Sequence, residues 1–202
     1  MKKLALAIAL MGSIGSANAA GLSIDTSDYV DPAVNIAAYN GDPVASTGAV
    51  VAGTLGALIA DVAGRITFTY LGDESGHDNK FSLWLGSQVL TEANGIGDSV
   101  SADIGDGLVD FKFTDTFTNP DTDFANGDVS TSILGFAFLT VTAPVGTPYQ
   151  YYIGFNDTFD KDADYDDYVI GVNFSPVPVP AALPLMATAL GLFGFGASRR
   201  RV

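Results

Sequence analysis

The chain contains no cysteine and only one histidine, His77. It therefore has no disulfide, no thiol nucleophile and no cysteine-ligated zinc. A serine triad or a histidine-rich metal site would need partners that the sequence does not supply around His77. We expect His77 to be an ordinary polar residue on the surface, and we expect the protein not to be an enzyme.

Basic residues are scarce in the central part of the chain. All 23 acidic residues lie between Asp25 and Asp167, where only four residues are Lys or Arg. Such a surface repels nucleic acid, polyanionic sugars and anionic lipid headgroups, so we predict no nucleic-acid partner. The same charge either attracts cations or only keeps the protein soluble.

Residues 1–19 have the pattern of a secretory signal peptide. Lys2 and Lys3 supply the positive start, residues 4–11 form the apolar run, and Ala17-Asn18-Ala19 is a small-x-small cleavage site for signal peptidase. The alternative is an N-terminal membrane anchor. The apolar run is too short for that, because a bilayer core is about 30 Å thick.

Residues 176–202 combine a proline motif, an apolar span and a basic end. Pro176 to Pro180 alternate with valine, which favours an extended spacer. Residues 181–197 carry no charge and, as a helix, would reach about 25 Å, close to the thickness of a thin bilayer. Arg199, Arg200 and Arg201 follow, and basic residues beside a span stay cytoplasmic, so the acidic domain is expected to face outward.

This C-terminal arrangement resembles the PEP-CTERM bacterial sorting signal, in its VPLPA form, through Val177-Pro178-Val179-Pro180-Ala181 and the arginine end. Val179 stands where that form has Leu, and the Glu of the commonest form is absent. The resemblance implies an exosortase as partner, transient anchoring in the inner membrane, and delivery to the cell surface or extracellular matrix of a Gram-negative-type bacterium. An unprocessed single-span anchor would have the same topology.

The region between the two ends has the periodicity of β-strands. Apolar and polar residues alternate with a period of two, and Gly, Asp, Asn or Pro bound each alternating segment. We predict one all-β domain over residues 20–175, an antiparallel β-sandwich or jelly roll. The alternating segments are residues 65–70, 81–86, 149–155 and 168–174.

Two segments within this region are less regular. Residues 133–141 are apolar at both alternating positions, which predicts a central strand covered on both faces. Residues 48–64 are ambiguous, because Leu55, Leu58 and Ile59 have helical spacing while four glycines oppose a stable helix.

The segment 157–167 concentrates six aspartates in eleven residues. Crowded carboxylates repel one another, and a calcium ion, which takes about 6–8 oxygen ligands, relieves that repulsion. The spacing is not that of an EF-hand, because Tyr165 and Gly171 stand where glycine and glutamate are needed. A calcium site and a solvated acidic turn both fit the spacing. The candidate ligands are Asp157, Asp160, Asp162, Asp164, Asp166 and Asp167.

Two segments resemble paired signatures of β-rich exported domains in PEP-CTERM proteins. The resemblance implies a non-catalytic, ion-stabilised surface domain, to which Glu74 and Asn79 contribute further ligands. The runner-up is a calcium-dependent carbohydrate-binding module that binds exopolysaccharide, with Trp84 or tyrosines stacking on sugar. Clustered aspartates do not suit glycoside hydrolysis, which needs carboxylates about 5–9.5 Å apart across a cleft. The residues that match the first of the two PEP-CTERM signatures are Tyr70, Leu71, Gly72, Glu74, Gly76, Asn79 and Phe81. Those that match the second are Gly154, Phe155, Asp157, Asp162, Asp164, Tyr165, Asp166 and Asp167.

The terminal patterns predict that mature protein lacks both residues 1–19 and the arginine end. Intact mass spectrometry of protein recovered from the native cell surface measures this directly. A mass that still includes Arg199 to Arg201 would contradict cleavage by a sorting enzyme and favour the simple anchor.

Overall fold

The computed structural model describes residues 21–29, 33–34, 49–84, 87–118, 120–128, 134–142, 148–157 and 165–177. This part of the chain is all-β, with strands paired antiparallel and no helix. The strands are β1 (Leu22–Asp25), β2 (Ala33–Val34), β3 (Ala49–Thr54), β4 (Ala57–Ala60), β5 (Gly64–Gly72), β6 (Asn79–Leu83), β7 (Gln88–Thr91), β8 (Ser99–Ile104), β9 (Gly107–Leu108), β10 (Phe111–Asp115), β11 (Thr122–Ala125), β12 (Gly135–Thr142), β13 (Tyr151–Asn156) and β14 (Tyr168–Pro176).

The strands form three sheets. The largest has seven strands in the order β2-β3-β12-β13-β14-β5-β8, and a four-stranded sheet has the order β11-β10-β6-β7. A small sheet, β1-β4-β9, completes the set. The architecture is consistent with a β-sandwich, as the alternating pattern predicts.

An aromatic core joins the four-stranded sheet to the seven-stranded sheet. The Phe113 and Phe155 rings are stacked with centroids 5.0 Å apart, and those of Phe68 and Phe81 lie 4.7 Å apart. All four side chains are fully buried. Each such burial contributes about 1.5–3 kcal/mol, and aromatic pairing adds about 0.5–1.5 kcal/mol, so this contact is a main source of stability.

The opposite face of the seven-stranded sheet is also covered. Ala137 and Leu139 of β12 belong to a second buried cluster, whereas Phe136 and Phe138 point into the aromatic core. This confirms the prediction of a central strand covered on both faces, over the part of residues 133–141 that the structure describes. The second cluster contains Leu71, Ala137, Leu139, Tyr152, Tyr165 and Val169.

Three predictions for local structure are settled by the strands. The ambiguous segment 48–64 forms strands β3 and β4. The alternation predicted over 81–86 ends at Leu83, because Trp84 adopts a left-handed φ of 55° as the chain turns. The alternation predicted over 149–155 places Tyr149 on the same face as Ile153, and this is wrong. Tyr149 precedes β13 and packs against the second cluster, whereas Ile153 lies in the aromatic core.

Gly154 allows Tyr165 to lie directly on the sheet. A Cβ atom at Gly154 would stand 2.1 Å from the backbone oxygen of Tyr165, far inside van der Waals contact. Tyr165 itself is fully buried and has a left-handed φ of 62°, which is costly for a residue with a side chain.

The substitution Gly154→Ala is therefore expected to lower the free energy of unfolding by about 1–3 kcal/mol, the usual cost of overpacking. Gly105→Ala is the matched control, because a Cβ there meets no atom within 4 Å. Urea unfolding of the two variants measures the difference. An equally small loss for both would show that Tyr165 does not pack against Gly154.

Candidate functional site

Polar side chains from both sheets converge at one end of the aromatic core. The β5–β6 loop supplies Ser75 and His77, and β6 begins with Asn79. Asp115 ends β10 and pairs in register with Asn79. Asp157 follows β13 directly, so the close packing of the two sheets brings these residues together.

His77, Asp115 and Asp157 form the centre of this site. His77 Nδ1 lies 3.4 Å from Asp115 Oδ1 and 3.8 Å from Asp157 Oδ2. One ligand-type atom from each of the three residues lies within 4.8 Å of the other two. The aspartates are fully buried and His77 is 4% exposed. The three side chains therefore interact away from solvent, where electrostatic forces are strong.

Hydrogen bonds hold Asp157 in this position. Ser75 Oγ donates to Asp157 Oδ2 at 2.5 Å, and Asn79 Nδ2 donates to the same oxygen at 2.9 Å. Ser75 Oγ also accepts the backbone N–H of His77 at 2.8 Å. One serine hydroxyl thus fixes both the loop that carries His77 and the carboxylate that His77 faces.

His77 is covered by Phe117, whose ring stacks on the imidazole with centroids 4.0 Å apart. The backbone N–H of Phe117 donates to Asp115 Oδ1 at 2.9 Å, which holds Phe117 close to this carboxylate. Phe117 is itself 70% exposed. The expectation that His77 lies on the surface is wrong, because this aromatic cover and the two aspartates enclose it.

The C-terminal end of the acidic segment returns to the same place. Asp167 Oδ2 accepts the backbone N–H of Asp157 at 2.7 Å, and Asp166 is fully buried. The left-handed Tyr165 immediately precedes Asp166, and strained backbone of this kind concentrates at functional sites. The two ends of the segment are therefore fixed to each other.

A shallow groove of about 310 Å³ lies beside the buried cluster and is lined by Asp78, Asn79, Lys80, Thr91, Glu92, Ala93 and Thr116. The pKa of Glu92 is raised to about 7. Partial burial is the main cause and the charges of nearby aspartates add to it, whereas the hydrogen bond from the Asn79 N–H opposes the shift. This region concentrates negative charge and favours a bound cation.

The structure describes half of the predicted ligand set. Asp157, Asp166 and Asp167 lie at the ends of the acidic segment, whereas Asp160, Asp162 and Asp164 are outside the described residues. Asn79 contacts Asp157, and Glu74 is exposed. Among the predicted processing residues, Val177 is described; it is 58% exposed, and its N–H donates to the Ala63 oxygen at 3.0 Å. Ala17, Ala19, Pro178, Pro180, Ala181, Arg199, Arg200 and Arg201 lie outside the described residues.

Sequence reasoning missed Asp115 as a site residue. Its position in the alternating pattern could have identified it. Phe111, Phe113 and Asp115 occupy alternate positions of β10, so the carboxylate lies on the same inward face as two buried phenylalanines. Asn79 likewise occupies the same set of alternate positions in β6 as the buried Phe81 and Leu83. A polar residue at the end of an inward-facing row is a candidate for a buried site.

Comparison with known proteins yields no match to a family model, to a curated protein or to a solved structure. Within the described residues, no helix is long and apolar enough to cross a membrane. The predicted span, residues 181–197, lies outside them.

Proposed function

We propose that this chain is a non-enzymatic protein exported to the surface or extracellular matrix of a Gram-negative-type bacterium, and that calcium stabilises its acidic domain. Signal peptidase removes residues 1–19, and residues 176–202 anchor the protein in the inner membrane until an exosortase processes them. The domain between them is a jelly-roll-like sandwich over residues 20–175.

The observation that carries the calcium proposal is the convergence of the acidic segment's two ends. Asp157 and Asp166 are fully buried, and Asp167 is bonded to the backbone of Asp157. Moving an ionised carboxylate from water into a protein interior costs roughly several kcal/mol, and a bound divalent cation offsets that cost. Asp160, Asp162 and Asp164 lie between these ends in sequence and would supply further oxygens.

The burial of these carboxylates also supports a non-enzymatic role. Catalytic carboxylates must contact substrate, whereas Asp115, Asp157 and Asp166 are fully buried. Enclosed carboxylates suit the holding of an ion better than they suit an acid–base reaction.

The groove supports carbohydrate binding as a second candidate function. Its carboxylates, amide and hydroxyls suit sugar hydroxyls, and Phe117, next to Thr116, exposes a ring on which a sugar could stack. Neutral sugars fit the acidic surface better than polyanionic ones.

Thermal melting of the full chain in mild detergent tests the calcium proposal. Calcium at about a hundredfold excess over Kd adds about 2.7 kcal/mol to the free energy of unfolding. We therefore expect Tm in calcium to be roughly 5–10 °C higher than Tm in chelator. Magnesium at matched ionic strength should raise Tm less. The double variant Asp164→Ala, Asp166→Ala should lose the difference between the two ions.

The control for this experiment is the double variant Asp103→Ala, Asp121→Ala, which removes two exposed aspartates outside the acidic segment. It should retain the difference between calcium and magnesium. Because Asp166 is buried, the readout is that difference and not the absolute Tm. Equal shifts from both ions in the parent chain would indicate charge screening and contradict a calcium site.

Calorimetric titration with neutral oligosaccharides tests the second function. If the groove binds sugar, Phe117→Ala should weaken binding about tenfold, which corresponds to the loss of about 1.4 kcal/mol of contact with the ring. Trp84→Ala is the matched control, because Trp84 is exposed at the opposite end of β6. Loss of binding in Trp84→Ala alone would place the sugar elsewhere, and cleavage of the oligosaccharide would contradict the non-enzymatic role.

A further inference from the structure

The cluster of His77, Asp115 and Asp157 has a composition that the calcium proposal does not explain. Calcium takes oxygen ligands, but the atom that faces both carboxylates is an imidazole nitrogen, His77 Nδ1. Asp115 also lies on β10, far in sequence from the acidic segment. The cluster is therefore chemically and topologically distinct from that segment, although the two share Asp157.

Asn79 gives an independent indication of a bound group. The side chain is 2% exposed, and among the described residues its Oδ1 has no hydrogen-bond partner. A buried carbonyl oxygen without a partner is destabilising, so native proteins rarely leave one. The Asn79 amide contacts Asp157 Oδ2 through Nδ2, and a half-turn of the amide would place Oδ1 at that position, facing the cluster.

The distances suit a small divalent cation. Zinc binds imidazole nitrogen and carboxylate oxygen at about 2.0–2.2 Å, and tetrahedral geometry then separates its ligand atoms by roughly 3.3–3.6 Å. The observed separations are 3.4 Å from His77 Nδ1 to Asp115 Oδ1 and 3.8 Å to Asp157 Oδ2. The third separation, between the carboxylate oxygens of Asp115 and Asp157, is within 4.8 Å, so a cation at the centre of the three atoms would draw the two carboxylates closer together.

The charges favour the same ion. Asp115 and Asp157 are both fully buried beside His77, and a divalent cation compensates carboxylates that are held away from solvent. Transition metals of the zinc type accept mixed imidazole and carboxylate ligands, whereas calcium and magnesium select oxygen.

We propose that His77 Nδ1, Asp115 Oδ1, Asp157 Oδ2 and Asn79 Oδ1 form a second metal site, which takes one divalent transition-metal cation of the zinc type. Four protein ligands leave no open position, so the site is structural. The ion links β6, β10, the β5–β6 loop and the end of β13, and thereby ties the two sheets together. The Ser75 hydroxyl orients Asp157 from the second coordination shell.

The groove supplies an access route to this site. Asn79 lines the groove and also bonds to Asp157, so the groove reaches the edge of the buried cluster. Asp78 and Glu92, at the groove wall, would attract an approaching cation.

The test uses the full chain in mild detergent, purified through a tag that lacks histidine and freed of metal with a chelator. Zinc is added alone, and binding is measured by calorimetry and by metal analysis after gel filtration. We expect one zinc per chain, with no displacement by excess calcium. Because His77 is the single histidine, two-bond ¹H–¹⁵N spectra should show Nδ1 moving to a metal-bound position and Nε2 remaining protonated.

Variants identify the ligands. Asp115→Asn and His77→Gln should abolish the stoichiometric zinc, and Ser75→Ala should weaken it about 10–100-fold, as expected for a second-shell partner. Asp103→Asn, an exposed carboxylate paired with Arg65, is the control and should bind zinc like the parent. The variant Asp164→Ala with an intact Asp157 should still bind zinc, which separates this site from the calcium proposal.

Two results would overturn the proposal. One is the absence of stoichiometric zinc binding to the folded chain, whatever the His77 spectrum shows. The other is zinc binding that survives both Asp115→Asn and His77→Gln, which would place the ion elsewhere. Circular dichroism of each variant confirms that it is folded before zinc is added.

Discussion

The position of the Asp157 carboxylate is the constraint on which this end of the molecule depends. It is fully buried between two sheets, so its charge must be met by neighbouring groups. Ser75, Asn79 and His77 approach it from the β5–β6 region, and Asp167 holds its backbone from the side of β14. Three segments of the chain, around residues 75–79, 157 and 167, thereby meet at one residue.

The aromatic core makes this convergence possible. Phe113 and Phe155 are stacked in parallel across the two sheets, and each lies two residues before a site aspartate, Asp115 or Asp157. Because side chains alternate along a strand, the ring and the carboxylate that follows it project toward the same interface. The hydrophobic contact thus sets the separation of the two carboxylates, and the polar cluster closes the end of the core.

An ion at this end would have a role that disulfides have in many exported domains. The chain has no cysteine, so covalent links between the sheets are absent. Its acidic surface has few positive charges to balance the buried carboxylates. The proposed divalent cations would supply both the link and the compensating charge, which would connect the composition of the chain with the geometry of the site.

The site itself was only partly predictable. The density of aspartates in residues 157–167 indicated cation chemistry, and Asp157, Asp166 and Asp167 do lie at the polar end of the core. His77 and Asp115 were not predicted to be site residues. A histidine in a glycine-containing loop has no periodic signal of burial. The side chain that covers it, Phe117, follows the end of β10, forty residues further along the chain.

The sequence by itself determined the all-β class, the buried central strand β12 and the concentration of negative charge, because periodicity and composition are local properties. It also carries the terminal patterns on which the export proposal rests. Only the tertiary structure decided that β10 lies beside β6 and that Asp115 therefore meets His77 and Asp157. It also decided that β6 ends at Leu83, where the chain turns at Trp84. The physical reason is that a period of two specifies which face of a strand is buried, but not which strand it will face.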